Sequence, residues 1–336
     1  MSVVQTLTVG TDDAGIRLDR WFKRHFPGLA HGRLEKMLRT GQVRVNGKKA
    51  KAGQRLEGGQ SIRVPPVEDA ETTAPKNERT ERIAKRRLDP ELTEQLIESI
   101  LYKDEEVIAI AKPPGLPVQG GTGSNKHVDG ALDGLRFEMP KRPKLVHRLD
   151  KDTSGVLLLA RTAVAAKWLA EAFRNRSARK TYWAVIVGQP RFRSGTIDLP
   201  IAKLPGKAGE KMVVDHDQGQ RAITDYMVVE QLGKRTAWVA MRPRTGRTHQ
   251  LRVHMDSLGT PVFGDSKYGG ERAFIDAGAL SRKLHLHARS IAIQRPNGSW
   301  LEVEAPLPEH MARTWEYLGF DPNARTVAFP DDKEES

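Results

Sequence analysis

The chain contains no cysteine, so disulfides and thiolate metal sites are excluded and a reducing compartment is compatible. No apolar run approaches the length of a membrane span. The first residues, MSVVQTLTVG, lack the basic region and long apolar core of a secretory signal, so a cytoplasmic protein without a membrane partner is expected. The segment GGTGSNKH at 120–127 is glycine-rich but lacks the spacing of a phosphate-binding loop, so nucleotide hydrolysis is not expected. It reads as a substrate-side loop or as an ordinary surface connection. HExxH is absent too. His249 and His254 stand five apart, which is not the i, i+4 spacing of two helical ligands, and His285 and His287 are placed together on one strand. Neither a metal nor a cofactor is expected.

What the chain has instead is positive charge. Its 336 residues carry a formal net charge of +13. The first 67 hold 13 Lys and Arg against 5 Asp and Glu, so most of the excess sits in one fifth of the chain. Such asymmetry points to a polyanion, with nucleic acid the first candidate, against the plainer reading of a solvated surface.

The length suits two domains. Residues 3–9 suit an edge strand. Leu18, Trp21, Phe22 and Phe26 share one face of a helix over Arg17–Phe26, with Arg17, Arg20, Lys23 and Arg24 largely on its other sides. A second helix is expected from Gly32 to Thr40, with Leu34, Met37 and Leu38 inward and Gly41 as its stop. Val43–Val45, the turn pair Asn46-Gly47, the lysines 48, 49 and 51, and a strand over Ser61–Val64 complete a small basic module, 1–67. Residues 68–88 are charged and poor in large apolar side chains, so they read as a flexible linker tethering the module.

A larger domain, 89–325, follows, with an acidic tail at 326–336. Asp89-Pro90 suits a helix start, and Ile100–Tyr102 with Val107–Ala111 suits a hairpin. Thr162 is placed to cap a helix running to Phe173 and carrying Val164, Trp168 and Phe173. Arg174, Arg176, Arg179 and Lys180 crowd its end, where they suit either phosphates or the helix dipole. Further strands are read at Thr181–Val187, Ala222–Val229 and Ala237–Met241. Strands outnumber helices without regular βαβ alternation, so an α+β domain on a mixed, mainly antiparallel sheet is expected.

The densest chemistry lies in KLVHRLDKDTSGVLLLAR, Lys144–Arg161. Asp150 sits in a loop among His147, Arg148 and Lys151, followed by a Thr-Ser-Gly turn and a buried strand, Val156–Ala160. A loop carboxylate braced by a core strand suits a reacting group, although turn-forming or ion pairing is the commoner fate of such an Asp. The second dense stretch is RPRTGRTHQLRVHM, Arg242–Met255. A helix from Arg247 onward would put Arg247 and Leu251 on one face, and an Arg paired with Asp150 would keep it ionised. A structural ion pair, or phosphate contacts by Arg247 and Arg252, are the alternatives. Tyr182 in KTYWAVIVG suits stacking on a base or half-buried packing. His147 reads as a brace of the Asp loop or an RNA contact, and Leu251 as a neighbour of the base or as core.

HRLDKDTSG, KTY and TGRTHQ together resemble the signature of the RluA/RluC-type RNA pseudouridine synthase family. GLPVQGGTG and GALDGLRF make the large-subunit ribosomal RNA branch, the RluC type, the most similar. The resemblance implies isomerisation of uridine within RNA without cofactor, Asp150 as catalytic residue, Arg247 as its ion-pair partner and Tyr182 at the base. Beside these three carried-over positions, His147, Arg148, Leu251 and Arg252 are candidate substrate or RNA contacts from their place in the two dense stretches. RLDRWF and RLEKMLRTGQVRVNGKK resemble the RNA-binding domain first known from ribosomal small-subunit protein four, implying RNA contacts by Arg17, Arg20, Arg44, Lys48 and Lys49. RNA is the expected partner and a monomer the expected state. The rivals are a non-catalytic ribosome-assembly factor, a synthase acting on transfer RNA, and a nucleoside hydrolase using Asp150, which would need a second carboxyl group.

Overall fold

The computed structural model describes residues 4–10, 13–66, 89–120, 126–204, 211–276, 278, 280–322 and 329. The expected linker, most of the glycine-rich loop and the acidic tail apart from Phe329 lie outside the described residues. The chain divides into two compact units, Met1–Arg87 and Leu88–Ser336.

In the first unit, β1 (Gln5–Thr8) is followed by α1 (Leu18–His25), α2 (His31–Arg39), β2 (Arg44–Val45), β3 (Lys48–Lys49) and β4 (Ser61–Val64). Leu18, Trp21 and Phe22 of α1 join Leu34, Met37 and Leu38 of α2, Val45 and Ile62 in one core, the burial their spacing demands. Asn46 (φ 47°) and Gly47 (φ 75°) both take positive φ, which a two-residue hairpin turn requires. The sheet runs β1-β4-β2-β3, so the first strand is an edge. Its register sets Arg63, Arg44 and Lys49 side by side across three strands. Val45 and Ile62 face the core, and the three cations face solvent.

The second unit adds α3 (Pro90–Glu98), β5 (Ile100–Lys103), β6 (Val107–Lys112), α4 (Val128–Ala131), β7 (Lys144–Leu145), β8 (Ser154–Ala160), α5 (Ala163–Asn175), β9 (Arg179–Val187) and β10 (Ser194–Asp198). After them come β11 (Ile201–Lys203), β12 (Met212–Val214), β13 (Ile223–Leu232), β14 (Thr236–Pro243), α6 (Gln250–Ser257), β15 (Leu286–Gln294), β16 (Trp300–Glu304) and α7 (Glu309–Leu318). Ten strands form one sheet in the order β10-β13-β14-β9-β15-β8-β6-β5, with β16 beside β15 and β7 beside β8. Among the described residues its strand pairs are antiparallel except β8 with β15. The fold is therefore α+β on a large, mainly antiparallel sheet.

Period-two alternation sorts the sheet's two faces. On β9, Trp183 and Val185 pack with Trp238 and Trp315 on one side. Tyr182, Ala184 and Ile186 pack with Leu251 and Met255 of α6 on the other. Asp89 accepts from the Leu92 amide at 3.1 Å, and Thr162 from that of Ala165 at 3.0 Å, so both expected caps form. On α5 the buried face is Ala165, Leu169 and Ala172, whereas Val164 is 69% exposed. Helical phase puts Val164 on the opposite side, with the exposed Lys167 and Glu171. α6 starts at Gln250, so Arg247 belongs to the preceding turn and not to the helix expected from it.

Candidate active site

The loop 146–153 is held from several sides. Leu149 is buried with Leu157, Leu159 and Ala288. His147 accepts the Leu158 amide on Nε2 at 2.8 Å, and its ring stacks on Phe173 with centroids 4.3 Å apart. Burial holds its pKa down to about 3, which keeps the imidazole neutral and that lone pair free to accept. His147 thus braces the Asp loop. Lys112 donates to the carbonyls of Pro113 (2.8 Å), Leu116 (3.0 Å) and Lys151 (2.9 Å). Its ammonium is buried, which pulls its pKa to about 7 against the attraction of Asp152 and Asp150. Lys112 directly precedes Pro113-Pro114-Gly115, which ends β6, and nothing in that local pattern announces a buried ammonium.

The Thr-Ser-Gly stretch expected as a turn instead runs into the start of β8, with Gly155 its second residue. The φ of Gly155 is 112°, and a Cβ there would stand 2.2 Å from the carbonyl oxygen of Ala288. The close approach is the start of the parallel β8–β15 pairing, where Gly155 faces Ala288 and Ser154 faces His287. Ala288 in turn faces Tyr182 on β9. A single row across three strands therefore links Tyr182, through Ala288 of β15, to the strand that follows Asp150.

The turn 245–249 is fixed by Gln250, a buried polar side chain with no signal of its own in the sequence. Its Oε1 accepts from the Thr245 hydroxyl (2.7 Å) and the Arg247 amide (3.0 Å), while its Nε2 donates to the Ile223 carbonyl and Thr224 hydroxyl, both at 2.9 Å. All four of its amide contacts are satisfied within the protein.

These elements enclose a cavity of about 510 Å³ whose lining includes His147, Arg148, Asp150, Tyr182, Arg247, Leu251 and Arg252. Seven residues singled out in three separate sequence stretches thus meet in one place. Asp150 is the one carboxylate among the described lining residues, and Asp152 is exposed. The second carboxyl group that glycoside hydrolysis normally uses is therefore not on this wall. Thr153, buried at 2% exposure, also lines the cavity, and its hydroxyl has no hydrogen-bond partner among the described residues.

Electrostatically the site differs from expectation. Asp150 has no ion-pair partner within 4.0 Å among the described residues, and Arg247 points its Nε at the Arg221 carbonyl, 3.2 Å away. Asp150 keeps part of its surface open to the cavity yet is ringed by protein. Burial raises its pKa, and Arg252, Arg148 and Lys112 work in the opposite direction, in that order. The expected stabilisation of its charge by Arg247 is thus not formed. Arg252 exerts the largest attraction, but its guanidinium is committed to Asp265 by two bonds of 2.7 Å, so it is not a free RNA contact. Burial likewise raises the Tyr182 hydroxyl's pKa, with the Asp150 charge adding to it.

The histidines of the 249–287 region have separate partners. His249 meets the Tyr268 hydroxyl, His254 meets Thr224 and the Leu199 carbonyl, His285 meets Thr314, and His287 meets Ser154. Among the described residues no group of three His, Cys, Asp or Glu could hold a metal ion. Arg17, Arg20, Arg44, Lys48 and Lys49 belong to the other unit and are exposed there. Arg17 is neutralised locally by Asp19, at 2.6 Å.

Residues 106–257, which contain Asp150, Tyr182 and Arg247, match the family described as RNA pseudouridylate synthase. The chain is 34% identical over 321 residues to ribosomal large subunit pseudouridine synthase C of Salmonella typhi, covering 94% of this chain and 97% of that protein. It is 37% identical over 301 residues to the protein of the same name from Rickettsia bellii, covering 88% and 96%. Among solved structures, human RNA pseudouridylate synthase domain containing 4 aligns with 68% of this chain and 95% of its own, at 30% identity and a TM-score of 0.56. Identity, coverage and fold agree, and the chain belongs to the RNA pseudouridine synthase family, isomerases that act on uridine within RNA.

Proposed function

We propose that this enzyme isomerises specific uridines of large-subunit ribosomal RNA, with Asp150 as the catalytic carboxylate. The observation that carries the reading is the convergence of Asp150, Tyr182 and Arg247 on one cavity in a chain whose full-length relatives bear that ribosomal name. In the reaction the bond from N1 to C1′ breaks, the uracil turns, and C5 bonds to C1′. C5 gives up a proton and N1 gains one, so nothing is oxidised.

Asp150 acts on the sugar, as nucleophile at C1′ or base at C2′. The target must leave its stack to reach the cavity, where the Tyr182 ring offers a face for the flipped base. Arg247 turns from the Arg221 carbonyl toward Asp150 when RNA binds, adding the cation that burial of the carboxylate demands. Residues 1–67 act as an RNA-binding module like that of ribosomal small-subunit protein four. The exposed row Arg63, Arg44 and Lys49 supports this, since like charges set opposite one another on a sheet cost stability unless an anion meets them. Cytoplasmic action as a monomer belongs to the same proposal.

The test is to incubate wild-type and Asp150→Asn protein with unmodified large-subunit ribosomal RNA and map pseudouridine by chemical-adduct primer stops. Discrete stops with wild type, and a rate lower by at least ~100-fold with Asp150→Asn, are expected for loss of a positioned catalytic group. Stops on transfer RNA alone would overturn the ribosomal assignment. Equal rates for the two proteins would remove Asp150 from the chemistry.

A further inference from the structure

The cavity wall carries cations that the chemistry above does not use. Arg174 and Arg176, at the end of α5, and Lys180, on β9, all line the same space as Asp150. Elsewhere in this unit the arginines mostly have carboxylate partners, as in Arg142–Asp129, Arg161–Glu138, Arg221–Asp198 and Arg295–Asp104. Among the described residues no carboxylate lies within salt-bridge distance of Arg174, Arg176 or Lys180. Unpaired positive charge is thus gathered at the cavity.

Lys180 is the informative member. Arg174 and Arg176 are exposed, and the carbonyl end of α5 attracts them with or without a ligand. Lys180 stands on a strand and is half-buried. Burial lowers its pKa, and the neighbouring Arg176 lowers it further. Its ammonium has no hydrogen-bond partner among the described residues. A desolvated, repelled and unpartnered cation is costly, and an anion placed against it removes that cost. Strand alternation puts Lys180 on the same side of β9 as Tyr182, about 7 Å along the strand. That separation falls within the span of one nucleotide.

We propose that Lys180, with Arg176 and Arg174, forms a subsite for a backbone phosphate flanking the uridine that enters the Asp150 cavity. The inference rests on the reading of that cavity as the uridine site. The subsite anchors the strand beside the flipped nucleotide, so its contribution falls on RNA positioning at this cavity and is separate from the basic module of residues 1–67.

The test uses the full-length protein and a short RNA hairpin carrying a uridine that wild type converts. Phosphates next to that uridine are replaced one at a time by uncharged methylphosphonate, and kcat/KM is measured for wild type, Lys180→Met, Lys180→Arg and Arg176→Asn. With the native hairpin, Lys180→Met lowers kcat/KM about tenfold and makes its log–log salt dependence shallower by about 0.7–0.9, one phosphate contact. Lys180→Arg restores the slope. At one position methylphosphonate costs wild type about tenfold but Lys180→Met less than about twofold, the coupling expected of a direct contact. Equal penalties in both proteins at every position overturn the subsite. If Lys180→Met does not fold, Arg176→Asn supplies the cycle, because it is exposed and Asn tolerates its positive φ of 63°. A wild-type protein that converts no uridine in any RNA defeats the proposed function instead, which keeps the two failures apart.

Discussion

The two units carry positive charge in opposite ways. In the first, Arg44, Lys49 and Arg63 stand exposed on the outer face of a small sheet. In the second, Lys112 and Lys180 are drawn into the protein, and burial lowers the pKa of both. Exposed charge costs little to fold, is screened by salt and attracts any phosphate backbone. Buried charge strains the fold and is kept where geometry must be exact to within a fraction of an ångström. On the proposed function, the first unit holds RNA and the second orients one nucleotide of it.

The largest expected effect tests the second side of that contrast. Gly155→Ala would force β8 away from β15, since the new methyl meets the Ala288 backbone at 2.2 Å and φ stays at 112°. A loss of about 3 kcal/mol or more in stability, read by urea unfolding, is expected, together with most activity. Wild-type-like stability would show that the parallel pairing does not position the Asp loop.

A smaller effect sharpens the first side. Arg44→Gln, Lys49→Gln and Arg63→Gln combined should raise KM about tenfold near 0.1 M salt and flatten the log–log salt slope by about 2–3. Turnover at saturating RNA should stay within about twofold, because none of the three reaches the reacting atoms. A fall in kcat with unchanged KM would merge the two roles.

The smallest effect concerns stability alone. The Asp150 pKa is raised in the folded state, so the native protein holds its proton more tightly than the unfolded chain between pH 3.8 and the raised value. Native stability is therefore lost as pH rises through that window. Asp150→Asn, which has no charge to bury, should melt above wild type at pH 8, with the gap closing as pH falls to 3.8. A mutant less stable than wild type at pH 8 would mean that the carboxylate is net stabilised in place.

Local patterning made much of this legible. The helical face of Leu18, Trp21 and Phe22, the Asn46-Gly47 turn, the Asp89 and Thr162 caps and the all-buried strand after Asp150 each follow from a handful of neighbouring residues. The three stretches that contribute Asp150, Tyr182 and Arg247 were legible through the family resemblance, since the residues alone left a structural alternative open for each. The missed pieces depend on distant partners. Val164 faces solvent because the face of α5 that packs on the sheet is Ala165, Leu169 and Ala172, and α6 begins three residues after Arg247 because Gln250 ties the turn to β13.

Composition and pattern by themselves determined a two-part basic chain and an α+β fold, because periodicity, turn chemistry and charge are local properties, while the family resemblance marked Asp150, Tyr182 and Arg247. The tertiary structure decided which cation acts on Asp150. It committed Arg252 to Asp265, turned Arg247 to the Arg221 carbonyl and buried Lys112 under the Asp loop. It also gathered Lys180 with Arg174 and Arg176 around the same cavity. Burial and pairing depend on segments far apart in the chain, and those distances are set when β9, β15 and β8 come to lie side by side.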